Sequence, residues 1–153
     1  MLKYISSTNM WDLPVDCVVV TINCEGIMGG GIAAQCKEMY PEIYGTYKFA
    51  CNEGMIKPGK LYFLKRGNEA GLVCLFPTKD EVRKDSTYGI VAAGLSSLRN
   101  QLQTQATKER IKSIAIPPLG CGLGNLEWDK VKPLYEKFLS DCAQDIYLIE
   151  PQK

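Results

Sequence analysis

The chain has 153 residues, 46% hydrophobic and 23% charged, with a formal net charge of +1. Length and composition fit one globular domain with a real core and exclude a disordered chain. The near-neutral charge excludes a protein that grips nucleic acid or membranes through a broad basic surface; only a local patch is left for that purpose.

In chain order, "LKYIS" (2–6) reads as an additional edge strand. "VDCVVVTIN" (15–23) is rich in β-branched residues and apolar on both faces, which predicts a central, fully covered strand. "GGIAAQCKEMY" (30–40) changes to helical spacing, with Ile32, Cys36 and Met39 on one face. Pro41 opens a second helical piece, "PEIYGTYKFACNEG", that ends at Gly54. "KPGK" (57–60) is a turn leading into the strand "LYFLK" (61–65). "GLVCLFPT" (71–78) is a buried strand stopped by Pro77. "TYGIVAAGLSSLRNQL" (87–102) is a helix with Ile90, Ala93, Leu98 and Leu102 inward. "IKSIAIPPLG" (111–120) is a strand ending at two prolines. "LEWDKVKPLYEKFLSDC" (126–142) is a helix and "DIYLIE" (145–150) a closing strand. Strands alternating with helices argue for an α/β sheet covered on both faces. No repeat or linker interrupts it, so residues 1–153 are expected to form a single domain.

No apolar run approaches the ~20 residues of a membrane span. The start, "MLKYISSTNMW", lacks the apolar stretch of a signal peptide, so a cytoplasmic location is expected. The seven cysteines are an odd number with no CxxC pair, as expected of reduced, mostly buried thiols. The chain has no histidine. That removes Ser-His-Asp and Cys-His catalysis and every His-based metal site. Acid–base chemistry is left to Asp, Glu, Lys, Tyr or Cys, and no metal or cofactor is expected.

Three loops that follow strands have unusual composition: "NCEGIMGGG" (23–31), "PTKDEVRKDS" (77–86) and "PPLGCGLGNL" (117–126). Ligands of open α/β sheets bind beyond the carboxyl ends of strands. The first and third loops read as strand, glycine-rich loop, helix, a geometry that points backbone N–H groups at an anion. Two such loops suit a diphosphate. Neither contains a P-loop or a dinucleotide-binding fingerprint. In the middle loop, Asp80 to Asp85 read as a solvated charged segment, and Lys79 stands apart at a strand end. As a nucleophile Lys79 needs a depressed pKa, whereas as an electrostatic anchor it needs none.

Together "NCEGIMGGGIAAQCK", "FPTK" and "IPPLGCGLGNLEW" resemble the macrodomain family, the ADP-ribose-binding fold, over nearly the whole chain. Within the family the likeness is to the DarG antitoxin subgroup and to the terminal ADP-ribose protein glycohydrolase. The resemblance implies a three-layer α/β/α sandwich with a mixed, largely parallel central sheet, and ADP-ribose across the strand ends. It implies that Asn9 meets the adenine. Met28, Gly29, Gly30, Gly31, Ile32 and Ala33, with Thr78 and the stretch Pro118, Leu119, Gly120, Cys121, Gly122, Leu123 and Gly124, would enclose the diphosphate and distal ribose. Asn23 would lie at the distal ribose and Lys79 matches the lysine on which DarG-type hydrolysis depends, so these two form the catalytic pair. The terminal glycohydrolase has an acid where this chain has Gly124. DarG-type domains tend to have glycine there, which selects that subgroup. DarG continues into a further domain, and a free-standing macrodomain is expected here.

The implied function is release of ADP-ribose from modified DNA, thymidine-linked by analogy, on single-stranded DNA and as a monomer without membrane contact. The alternatives are release from protein, hydrolysis of ADP-ribose 1″-phosphate, and a reader that binds ADP-ribose without cleaving it.

Overall fold

The β-branched run near the start of the chain forms β2 (Cys17–Asn23), in which Cys17, Val18, Val19 and Val20 are all fully buried. Side chains alternate across a strand, so burial at four successive positions needs cover on both faces. The computed structural model, which describes residues 1–6 and 8–152, shows that cover. The other strands are β1 (Leu2–Ile5), β3 (Tyr62–Lys65), β4 (Leu72–Lys79), β5 (Ser113–Ile116) and β6 (Asp145–Ile149). They form one sheet in the order β1-β6-β5-β2-β4-β3. Every pairing is parallel except β3 with β4.

The helices are α1 (Gly31–Met39), α2 (Pro41–Asn52), α3 (Tyr88–Leu102), α4 (Gln105–Arg110) and α5 (Trp128–Leu139). Helices α1 and α2 bury Ala33, Cys36, Ile43, Tyr47 and Ala50 on the face of Val18, Val20, Val73 and Leu75. Helices α3 and α5 bury Val91, Leu95, Leu98, Val131, Tyr135 and Leu139 on the face of Cys17, Val19, Cys74 and Ile114. Each fully buried aliphatic side chain contributes roughly 1.5–3 kcal/mol. The result is the expected three-layer α/β/α sandwich with a largely parallel sheet. Among the described residues, no helix is long and apolar enough to cross a membrane.

Four local expectations change. β4 does not stop at Pro77 but runs to Lys79. Its pairing with β3 ends at Leu75, so Pro77 lies at an open edge where a missing N–H breaks no ladder bond. In α1, Met39 is 46% exposed, and Tyr40 is buried instead, packed 5.7 Å from the Trp11 ring. The larger aromatic takes the core position at the helix end. In α3 the inward stripe is Val91, Leu95, Leu98 and Leu102, while Ala93 is exposed and Ile90 half-buried. Gly94 also faces inward, because a Cβ there would overlap the Phe76 ring. Finally, α4 and a 3-10 turn at Met10–Asp12 have no counterpart in the expected elements. Both are too short for a helical period to show in sequence.

Candidate active site

Strands β5, β2 and β4 are adjacent and parallel, so their carboxyl ends lie at one edge of the sheet. The three loops singled out in the sequence follow these three strands and meet there. They enclose a cavity of about 530 Å³, within the usual range for a small-molecule site.

The first loop hands the chain to α1. Gly31 begins the helix at φ +56, a left-handed conformation that favours glycine. The N-cap is Gly30, which makes no side-chain capping bond, and no acid stands in the first turn. Among the described residues, the opening N–H groups of α1 therefore have no side-chain partner, and Gly31, Ile32 and Ala33 line the cavity. Uncapped amides with the helix dipole behind them suit an anion. A Cβ on Gly31 would meet nothing within 4 Å. It would stand in open space.

Asn23 organises the same loop. Its Oδ1 accepts from the Glu25 N–H at 3.0 Å, the Ile27 N–H at 3.4 Å and the Tyr47 hydroxyl at 2.8 Å. Its Nδ2 donates to the Ile27 carbonyl at 2.6 Å. The acceptor side of the amide is thus consumed by the loop. Tyr47 is fully buried, and that burial pushes its pKa up, which keeps the hydroxyl a donor.

A register shift in the β2–β4 pairing sets Asn23 opposite Lys79 instead of Thr78. Such bulges re-aim side chains at sheet rims. The Lys79 ammonium donates to the Val82 carbonyl at 3.3 Å and makes no ion pair among the described residues. The segment after it is less free than its charges suggested. Cys24 N–H donates to the Asp80 carbonyl at 3.2 Å, and Ser86 N–H donates to the Gly124 carbonyl at 3.0 Å. Val82 N–H donates to the Glu25 carboxylate, and Asn125 Nδ2 donates to Asp85 at 2.8 Å. The pair Lys84–Glu81 and Arg83, all exposed, keep the expected solvated character.

The third loop leads into α5, as expected, with Glu127 as N-cap and Trp128 as first helical residue, two positions later than the sequence suggested. It is a run of turns, closed by Cys121 N–H to Pro118 at 3.1 Å and Leu126 N–H to Gly120 at 2.9 Å. Tyr135 anchors it from below: its hydroxyl donates to the Pro117 carbonyl at 2.7 Å and accepts from Leu119 N–H at 2.9 Å. A Cβ at Gly124 would overlap Ser86 Oγ and the Gly120 carbonyl oxygen. An acid at this position has no room in the present packing.

Thirteen of the residues proposed from sequence line the cavity: Asn23, Gly29, Gly30, Gly31, Ile32, Ala33, Thr78, Lys79, Pro118, Gly120, Gly122, Leu123 and Gly124. Four do not. Asn9 caps the 3-10 turn through its side chain, bonded to Trp11 N–H at 3.1 Å. Met28 and Leu119 are buried in the two cores. Cys121 packs half-buried against the first core, and burial pushes its thiol up to about 11, which leaves it a poor nucleophile. Five lining residues were not anticipated: Thr21, Ile22, Ile27, Val82 and Pro117. Thr21 and Ile22 precede Asn23 on a strand already expected to end at the site. No signal in the sequence marked Val82. Among the described residues, no group of three or more His, Cys, Asp or Glu is placed to hold a metal ion.

The family model described as the Macro domain matches residues 19–135. The DNA ADP-ribosyl glycohydrolase of Thermus aquaticus is 34% identical over 154 residues, covering 99% of this chain and 41% of that protein. The chain therefore spans about two fifths of the length of the curated relatives it matches. Among solved structures, the macrodomain of Mycobacterium tuberculosis DarG superposes with TM-score 0.89 at 34% identity, covering 99% of each chain. Thermosipho africanus DarTG in complex with ADP-ribose superposes with TM-score 0.88 at 30% identity, covering 98% of this chain and 41% of that one. With the family model over most of its length and a DarG macrodomain matching it end to end, the chain belongs to the macrodomain family.

Proposed function

We propose that this macrodomain binds ADP-ribose in the cavity and hydrolyses the N-glycosidic bond joining it to a nucleobase in DNA, thymidine by analogy. The observation that carries the reading is Lys79, a cation without an ion pair among the described residues, set at a strand end beside the uncapped start of α1. The names of the glycohydrolase relatives, and the ADP-ribose held by the Thermosipho protein, support it.

In this reading the opening amides of α1 hold the diphosphate, and the glycine loops orient the distal ribose so that positioning supplies much of the catalysis. Lys79 acts at the anomeric carbon. One water is consumed: the carbon–nitrogen bond breaks, hydroxyl joins the sugar and the proton leaves with the base. The cavity mouth favours a base over an acidic side chain. Ile27 is 47% and Leu123 75% exposed, yet both line the cavity together with Val82. Exposed aliphatic groups there suit the flat, weakly polar face of a nucleobase. The single-stranded substrate, the monomeric state, the single domain over residues 1–153 and the cytoplasmic location belong to the same proposal. The near-zero net charge is compatible with brief, local contact to a DNA strand.

The test incubates the protein with ADP-ribosylated oligonucleotide and, separately, with ADP-ribosylated protein. Release from the oligonucleotide is expected. Release from protein alone would overturn the DNA reading, and binding without release from either would make the chain a reader. Borohydride added during turnover sorts the two roles of Lys79. A nucleophilic lysine leaves an imine that is reduced to a covalent adduct, and an electrostatic lysine leaves none.

A further inference from the structure

We propose that Glu25 is a positioning residue for Lys79, acting through the main chain of Val82; its catalytic consequence rests on the hydrolase reading above. Glu25 is exposed on the first loop, yet its carboxylate accepts from the Val82 N–H, 57 positions away on the second loop. The same residue's carbonyl receives the Lys79 ammonium at 3.3 Å. Glu25 and Lys79 thus hold the two polar groups of one residue, with only the two backbone dihedrals of Val82 between them. A carboxylate accepting from a backbone N–H is a strong, charge-assisted bond. It holds a segment that is otherwise an irregular loop.

Glu25 is in turn fixed from the core. Its N–H donates to Asn23 Oδ1 at 3.0 Å, which also takes the hydroxyl of buried Tyr47 at 2.8 Å. A continuous path therefore runs from Tyr47 through Asn23, Glu25 and Val82 to Lys79. A lysine side chain has four rotatable bonds and a point charge at its tip. A carbonyl of fixed position is what limits where that charge can stand. The two loops are also tied without Glu25, by Cys24 N–H to the Asp80 carbonyl at 3.2 Å. Loss of the carboxylate therefore frees Val82 without opening the cavity.

The experiment compares wild type, Glu25→Ala and Glu25→Gln by three readouts. These are steady-state kinetics on ADP-ribosylated oligonucleotide, calorimetric affinity for ADP-ribose, and the rate at which an amine-reactive sulfonate labels Lys79, followed by mass spectrometry. For Glu25→Ala, kcat is expected to fall about tenfold with KM nearly unchanged, since misplacing a catalytic group is costly. Lys79 is expected to label several-fold faster once its carbonyl anchor moves, with other lysines as internal controls. Glu25→Gln keeps an oxygen acceptor for the Val82 N–H and is expected to restore most of both effects. Unchanged kcat and labelling in Glu25→Ala would overturn the inference. So would a parallel loss of ADP-ribose affinity that glutamine does not rescue, because that describes loop collapse. If wild type releases nothing from the oligonucleotide, the functional reading fails, and the labelling rates still decide whether Glu25 positions Lys79.

Discussion

The loop after β2 and the loop after β5 are both glycine-rich, yet Gly31 in the first and Gly124 in the second serve opposite purposes. In the first, Gly31 lines the cavity with a left-handed backbone at the start of α1, and a Cβ there would stand in open space. In the second, Gly124 has no space at all, because Ser86 and the Gly120 carbonyl fill it. One glycine leaves room for a ligand and the other leaves room for the protein. Between them, the segment after β4 is bonded to both loops, through Asp80 and Val82 on one side and Asp85 and Ser86 on the other. The start of α1 and the run of turns are therefore held to the segment of Lys79 as one assembly.

The largest expected effect lies outside both loops. Lys79→Ala abolishes release of ADP-ribose from the oligonucleotide, a loss of about 10³-fold or more, while calorimetry still detects ADP-ribose binding. Full activity in that variant would leave the loops as a binding site without a catalyst. The next pair tests the contrast directly. Gly31→Ala places a methyl group in the cavity and forces an L residue into the left-handed region, which costs about 1–2 kcal/mol; its larger effect is on ADP-ribose affinity. Gly124→Ala overpacks the protein by about 1–3 kcal/mol, and its larger effect is a fall of several degrees in Tm. Equal profiles for the two variants would break the distinction between the loops.

At the mouth, Ile27→Ser and Leu123→Ser are each expected to lower kcat/KM on modified DNA by up to about tenfold, since each removes an apolar contact. Parallel rates on ADP-ribosylated protein show whether the rim selects the base. The smallest effect is on alkaline stability. Each loop carries one half-buried thiol, Cys24 and Cys121, and burial pushes both up to about 11, with Asp80 adding to the rise at Cys24. In the unfolded chain a thiol ionises near pH ~8.5. Between those values the folded chain holds more protons than the unfolded one. Stability is therefore full below about pH 8.5 and falls as pH rises towards about 11. Thermal melts of Cys24→Ser and Cys121→Ser across that window should each show a shallower decline than wild type.

The elements that sequence described well are those whose signal is local. The apolar run at 15–23, the helix opened by Pro41 and the strand at 145–150 appear where periodicity and turn residues put them. The errors lie where a neighbour distant in sequence overrides the local pattern. Met39 yields its core position to Tyr40, which has Trp11 to pack on. Pro77 is tolerated inside β4 because β3 is too short to reach it. The site shows the same division. Lys79 and most of the glycines were legible, because glycine-rich turns after strands and a lysine at a strand end are contiguous features. Val82 and Glu25 were not, because what joins them is a contact across 57 positions that no composition reports.

The sequence by itself determined the alternation of strands and helices, the three loops that could bear a ligand, and the absence of histidine, which leaves acid–base chemistry to Asp, Glu, Lys, Tyr or Cys. Its motifs also carried the likeness to ADP-ribose-binding proteins. Those properties follow from near-neighbour chemistry: side-chain periodicity, turn conformations and residue types. Only the tertiary structure decided that β5, β2 and β4 lie side by side, that a register shift sets Asn23 opposite Lys79, and that Gly124 is filled from behind by Ser86. Sheet order, register and close packing are contacts between segments far apart in the chain, settled by which buried faces fit together.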